Sequence, residues 1–359
     1  MSVHQYKNGT WYVKYNNHTK RGFKTKKDAK IFEAKLLCYE VQNITYISFY
    51  RLINEYLNTY KDTVTYGTYQ KATNAVKKYI KPHTEDKDIQ EIKNIDCLNF
   101  YNYLRDLNKS TETKNWILGF YKQIFEFACL YYDLKANPSE HLKRFHKTTE
   151  EILKQRDKDK KTWSIEEFIK FYSVADISPY KELFACLYLT GARMGEIQAL
   201  TWNDLKNGQL SITKSLTAKT PQKAYEIKEP KNISSIRDIT VSHDLEKILN
   251  ALHESEKQKL GFNDDWFIFG GRTPTNHTTA LRYFNKWIND SHVKKITIHS
   301  LRHSHATNLI NDGVPITSVS ARLGHSTPQT TLRTYTHSNK VADDKLNDIL
   351  NNSSHFMIN

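Results

Sequence analysis

Residues 147–162 read KTTEEILKQRDKDKKT, a charged run with almost no large apolar side chain. Such a stretch cannot enter a hydrophobic core, because each buried ion would cost more than its contacts return. It therefore divides the chain. Before it lie a short strand-and-helix segment and then segments that read as helices; after it come helices, three short strands and further helices. At 359 residues more than one core is expected in any case. The expected boundaries are 1–44, 45–146, a linker over 147–162, and 163–359. The expected class is multidomain and mainly α: a small β-sheet-plus-helix N-terminal domain, a helical bundle, and an α+β domain with a C-terminal tail.

Local patterns fill in these blocks. Asn8-Gly9 is a hairpin signal, and Trp11 to Tyr15 alternates aromatic and polar residues as a strand does. Thr25 followed by Asp28 starts a helix over 26–42, with Ala29, Phe32, Leu36 and Leu37 expected on one face. Helical spacing recurs in Phe49–Leu57, Tyr69–Ile80, Asp96–Leu107 and Thr113–Asp133, which gives a four-helix bundle. Beyond the charged run, Ser164 with Glu167 starts a helix, and an apolar helix over 180–190 stops at Gly191. Three strands are expected near 209–214, 223–229 and 236–242, with a turn at Pro230–Ser234 between the last two. Helices follow over 243–255, 276–291, 300–312, 315–323 and 327–335, and a last one near 339–350.

The charge narrows the partner. Fifty-three Lys and Arg oppose 39 Asp and Glu, a net +14, and a surplus of this size suits a polyanion, most simply nucleic acid. Residues 1–42 alone hold nine basic residues against three acidic ones. Lys14, Lys20, Arg21 and Lys24 would put positive charge on the small sheet, which could then lie in a DNA groove. Lys71, Lys77, Lys78, Lys114 and Lys122 would do the same for the bundle, although taken alone they are better explained by a merely solvated face. No apolar run is long enough to span a membrane and no leader opens the chain, so a soluble, cytoplasmic, DNA-associated protein is expected. Cys38, Cys97, Cys129 and Cys186 are widely spaced in apolar segments and read as buried thiols.

The C-terminal block carries the chemistry. Arg193, Lys231, His299, Arg302, His325 and Tyr335 occur in that order, in the phrases TGARMGE, EPKNISSIR, HSLRHSHAT, LGHS and TLRTYTH. Cleaving a phosphodiester without a metal needs cationic donors around the non-bridging oxygens, which gain charge in the transition state. The planar fork of arginine suits that task. A tyrosine is a weak nucleophile at neutral pH and needs a base, for which His299 is the natural choice. His299, Arg302 and His303 fall on one helix face. Lys231 could protonate the leaving oxygen. Each residue has a duller reading: Arg193 pairing with Glu196 on its own helix, or His299, His303 and His305 holding zinc.

The order as a whole resembles the catalytic domain of the tyrosine recombinases, the integrases of phages and integrative elements. TGARMGEIQALTWNDL matches the first-arginine phrase and supplies Glu196 and Asp204 as supporting residues. PKNISSIRDITV matches the lysine phrase, with Asn232 where the family often has Thr and with Lys223 and Lys228 nearby. HSLRHSHAT, LGHS and the phrase around Tyr335 complete the set. Residues 45–146 resemble the family's core-binding domain and 1–42 its arm-type domain.

The resemblance implies a site-specific recombinase that integrates and excises a mobile element such as a phage or pathogenicity island in a bacterial host. It implies a 3′-phosphotyrosyl intermediate formed by Tyr335, with Arg193, Arg302 and His325 stabilising charge and His299 and Lys231 moving protons. No cofactor, metal or ATP is implied. The implied partners are double-stranded attachment DNA with core and arm sites, three further protomers in a tetramer, an excisionase and a DNA-bending protein. Two other functions use parts of the same evidence: type IB topoisomerase-like relaxation, and a non-catalytic sequence-specific DNA-binding regulator.

Overall fold

The computed structural model describes residues 2–7, 9–15, 18–41, 46–153, 162–217, 225–229 and 233–335. The chain forms two compact units, Met1–Glu151 and Ile152–Asn359, which divide within the charged run. Among the described residues no helix is long and apolar enough to cross a membrane.

The first unit opens with an antiparallel sheet of β1 (Ser2–Gln5), β2 (Trp11–Tyr15) and β3 (His18–Phe23), in that order. Gly9, at a φ of +83°, turns the first hairpin. Helix α1 (Lys26–Val41) starts where the Asp28 amide donates to Thr25 Oγ1 at 3.1 Å. Val13, Ala29 and Leu36 are buried between sheet and helix, with Trp11, Phe23 and Phe32 packed around them. Leu37 does not join them and is 49% exposed. At about 100° per residue it falls one step off the stripe that Ala29, Phe32 and Leu36 define.

The bundle contains α2 (Phe49–Thr63), α3 (Tyr66–Ala75) running into a π turn (Val76–Ile80), α4 (Asn94–Asp106) and α5 (Thr111–Tyr131). Its core joins Phe49, Leu52 and Ile53 to Phe100, Ile117 and Phe125. Lys35 of α1 reaches the bundle's connecting turn, with its ammonium 2.9 Å from Asp88 and 2.8 Å from Glu91. The charged run is held at its start: Glu151 accepts from the Thr111 amide at 3.1 Å and the Thr111 hydroxyl at 2.6 Å. Glu151 is thereby tied to the first residue of α5.

The second unit begins with Trp163, fully buried, whose amide donates to Ser304 Oγ and whose indole donates to the Lys294 carbonyl. Helices α6 (Ile165–Val174), α7 (Tyr180–Thr190) and α8 (Met194–Ala199) lead to strands β4 (Leu205–Lys206), β5 (Gln209–Ile212), β6 (Ser215–Thr217), β7 (Glu226–Lys228) and β8 (Arg237–Thr240). Helices α9 (His243–Lys257), α10 (His277–Ser291), α11 (Ile298–Asn311), α12 (Ile316–Leu323) and α13 (Pro328–Tyr335) follow. Phe171, Phe184, Phe284 and Trp287 anchor the core.

The strand expectation needs correction. The strand near 236–242 does not pair with the one near 223–229: β8 pairs with β5 in a sheet ordered β4-β5-β8, and β7 pairs with β6 in a separate hairpin. Burial explains the choice. Leu210, Ile212 and Ile239 face the core, whereas Ile227 is 42% exposed and has no core face to offer. Lys231 and the helix expected near 339–350 lie outside the described residues.

Candidate active site

The glycine of TGAR ends α7 in the left-handed conformation, at a φ of +66°. A Cβ there would stand 2.6 Å from the His305 ring, so no other residue fits without displacement. The turn is braced by Thr190, whose hydroxyl donates to the Cys186 carbonyl and accepts from the Ala192 amide. The next helix, α8, then starts at Arg193.

Arg193 makes the bond its duller reading foresaw: its Nη1 donates to Glu196 Oε1 at 2.7 Å. The surroundings go further than that pair. Glu196 Oε2 accepts from the Arg193 amide at 2.9 Å and from Arg237 Nη2 at 2.9 Å. Glu196 is almost fully buried, while the Arg193 side chain is 40% exposed. Burial alone would raise the Glu196 pKa, but the hydrogen bond and charge of Arg237, joined by Arg193, bring it below the usual carboxylate value. One ionised carboxylate thus orients two arginines.

Arg302 projects from α11 into the same region and is 3% exposed. Its Nη1 donates to the Gly191 carbonyl at 2.8 Å and its Nη2 to the Leu323 carbonyl at 2.7 Å. The guanidinium therefore bridges the end of α7 and the end of α12. His299 lies one turn earlier, its ring edge-on to His303 with centroids 4.9 Å apart. Burial, then the charges of His303, Arg302 and Arg193, push His299 down to about 4. It is neutral at physiological pH and able to accept a proton.

LGHS has a similar local logic. Gly324 closes α12 at a φ of +70°, and a Cβ there would stand 2.9 Å from Arg237 Nη1. The chain then turns to present His325, whose Nδ1 lies 2.8 Å from the hydroxyl of buried Thr331 on α13. Burial, then the charges of Arg302, Arg193, His303 and Arg237, push His325 down to about 4. The same groups act on both imidazoles, so Arg193, His299, Arg302 and His325 share one electrostatic neighbourhood. Tyr335 is the last residue of α13. Its side chain, like Lys231, lies outside the described residues.

Two residues of this region have roles the sequence did not disclose. Arg322 Nε donates to His305 Nε2 at 3.0 Å, and its Nη2 donates to the Leu189 and Thr240 carbonyls. His305 also hydrogen-bonds the Tyr188 backbone, and burial followed by the Arg322 charge pushes it down to about 3. With both nitrogens engaged it is a neutral packing histidine, which removes it from the zinc reading. Arg322 sits one residue before LGHS, the only sequence signal it had. Asp204 stands at the next turn, where it accepts from the Thr201 amide at 2.7 Å and pairs with Lys214 at 2.8 Å.

The expected DNA-facing lysines divide. Lys14, Arg21 and Lys24 are exposed on the small sheet and its exit, and Lys20 is half-buried. Lys77 and Lys78 are exposed on the bundle, and Lys71 lies 4.1 Å from the Trp116 ring centre. Lys114 and Lys122 donate to the Arg105 and Glu140 carbonyls at 2.6 and 2.8 Å, so they also tie bundle segments together.

Comparison with known proteins addresses the family and the fold. A family model described as the phage integrase family matches residues 164–341, and one for the phage integrase N-terminal SAM-like domain matches 48–105. The ICEBs1 integrase of Bacillus subtilis is 29% identical over 342 residues, spanning 91% of each chain. The integrase of Staphylococcus phage L54a is 24% identical over 333 residues, 84% of this chain and 91% of that one. Among solved structures, the Tn1549 transposon integrase in complex with a circular intermediate DNA superposes with a TM-score of 0.67 at 20% identity, covering 84% of this chain and 99% of that one. A lambda integrase dimer bound to a COC′ core site gives 0.60 at 16%, covering 92% and 93%. At these identities the two structures establish the fold.

Proposed function

The chain belongs to the phage integrase family of tyrosine recombinases, DNA strand-transferring enzymes, and from that premise we propose that it integrates and excises a mobile element by cutting and rejoining DNA at two attachment sites. Tyr335 Oη attacks the scissile phosphorus, the P–O5′ bond breaks, and a 3′-phosphotyrosyl ester and a 5′-hydroxyl result. The hydroxyl of the partner strand then attacks that ester and releases the tyrosine. The ester conserves the bond, so strand transfer requires no external energy source.

Arg193 and Arg302 hold the non-bridging oxygens, and His325 adds a third donor. Neutral His299 takes the phenol proton and Lys231 delivers one to the leaving oxygen. Glu196 acts by holding the start of α8, and Asp204 by holding the turn that follows it. The observation that carries this reading is the bracing of the two arginines, Arg193 by Glu196 and Arg302 by the carbonyls of Gly191 and of Leu323, which lies two residues before His325, with His299 and His325 kept neutral by burial and by the charges of these arginines. The exposed lysines and arginine of residues 14–24 would grip arm DNA and those of the bundle core DNA. Four protomers, an excisionase and a DNA-bending protein complete the assembly in this reading; the lambda integrase tetramer bound to a Holliday junction supports the first of these alone.

The test is a nicked half-site duplex taken from the sequenced element–chromosome junction, which loses a short fragment on cleavage and so accumulates covalent complex. The wild-type chain should give a denaturant-resistant protein–DNA band and Tyr335→Phe none. A band that persists in Tyr335→Phe, or is absent from the wild type, would refute the assignment.

A further inference from the structure

Arg237 belongs to none of the roles above, yet it is 7% exposed at its side chain and each of its three nitrogens already donates. Nε bonds the Arg322 carbonyl at 2.7 Å, Nη1 the Ser235 carbonyl at 2.8 Å, and Nη2 Glu196 Oε2 at 2.9 Å. The first of these fixes the last turn of α12, three residues before His325. The third fixes the carboxylate that holds Arg193. Arg302 grips the very next carbonyl, that of Leu323. Two arginines therefore clamp consecutive peptides of the segment that presents His325, and one of them is bonded through Glu196 to Arg193. Gly324 lacks a Cβ where one would stand 2.9 Å from Arg237 Nη1.

We propose that Arg237 is a positioning residue that registers Arg193, through Glu196, against the His325 segment, so that both meet the same phosphate. Each of its three nitrogens already donates to a protein acceptor, so its role runs through Glu196 and the Arg322 carbonyl. Its loss would let Arg193 and His325 drift apart while each stays on its own element, and a displaced donor loses most of its effect on a developing charge.

The proposal rests on the recombinase reading, and the experiment keeps the two separable. The full chain is assayed in single turnover, at saturating protein, on the nicked half-site duplex. One duplex carries the natural phosphate at the cleavage position and one a methylphosphonate, whose neutral methyl group lowers the charge to be stabilised. A wild-type chain that forms no covalent product overturns the recombinase reading and this inference with it. With an active wild type, Arg237→Ala should cleave the phosphate about 100-fold more slowly with half-site affinity unchanged, and the deficit should shrink about tenfold on the methylphosphonate, where less charge needs stabilising. Wild-type rates on the phosphate overturn it, and so does an equal deficit on both duplexes, the mark of simple fold support. If Arg237→Ala does not fold, Arg237→Lys is compared in wild-type and Glu196→Gln backgrounds. Action through Glu196 makes the two losses less than additive; additive losses overturn the proposal.

Discussion

The two imidazoles of the site carry a consequence for pH. An ordinary histidine titrates near 6.5, but His299 and His325 are pushed down to about 4 by burial and by the arginines beside them. The folded chain therefore resists binding protons that the unfolded chain takes up below about 6.5. Stability contributed by keeping these groups neutral is complete above that pH and declines as the pH falls toward 4. Thermal midpoints should drop between pH 7 and pH 5, before carboxylates titrate, and His299→Gln should flatten that slope. A slope that His299→Gln leaves unchanged would show that other groups cause it. Because kcat/KM reports the free enzyme, its acid limb from His299 should lie near 4; a limb near 6.5 that His299→Gln removes would contradict the lowered pKa. The residue types of this site were legible in the sequence. Lys231 and Tyr335 stand in its phrases too, but what the fold adds concerns other residues. Arg237 stands in the lysine phrase, six residues after Lys231, and Arg322 stands just before LGHS, but what each does comes from carbonyls it reaches 85 and 133 positions away. No local pattern encodes such a contact.

At the scale of elements, helix starts were the most legible feature, because the caps are local chemistry: Ser164 with Glu167 and Thr25 with Asp28 both act where the residue types indicate. Strand pairing was the least legible, since choosing β5 rather than β7 as the partner of β8 depends on which apolar side chains share a core across a long separation. Helix ends permit a controlled test. Gly313, after α11, and Gly324, after α12, both have positive φ, +88° and +70°. A Cβ at Gly313 meets nothing within 4 Å, whereas one at Gly324 meets Arg237. Alanine at either position should cost about 1 kcal/mol of stability from the left-handed backbone alone. Only Gly324→Ala should also slow single-turnover cleavage, because only there does the new methyl group move an arginine of the site. Equal cleavage rates in the two variants would separate the Gly324 turn from the chemistry.

At the scale of the whole molecule, the question is whether residues 1–44 form a separable arm-binding module, as the resemblance implies. Their small core is their own, built on Val13, Ala29 and Leu36. One contact crosses the proposed boundary at a cost. Lys35 neutralises Asp88, whose side chain is 1% exposed and whose Oδ2 has no hydrogen-bond partner apart from that ammonium among the described residues. Removing residues 1–44 would take away the ammonium that pairs with this carboxylate. The truncated chain should lose about 1–3 kcal/mol in the bundle, read as a lower denaturant midpoint for its transition. Asp88→Asn should restore most of that loss, since asparagine can still accept from the Gln90 amide as Asp88 Oδ1 does without bringing a charge. In the intact chain the same substitution should destabilise, because it abandons Lys35. That reversal of sign between the two backgrounds is what identifies the Lys35–Asp88 pair as the coupling. If truncation costs nothing, the sheet-and-helix module and the bundle are energetically independent. If truncation costs stability that Asp88→Asn does not restore, the apolar contacts around Tyr46 hold the modules together instead. Whichever holds, the truncated and rescued chain should still form covalent complex on a core half-site while losing affinity for arm DNA, because the nine basic residues removed lie ahead of the bundle and of every residue assigned to strand cleavage.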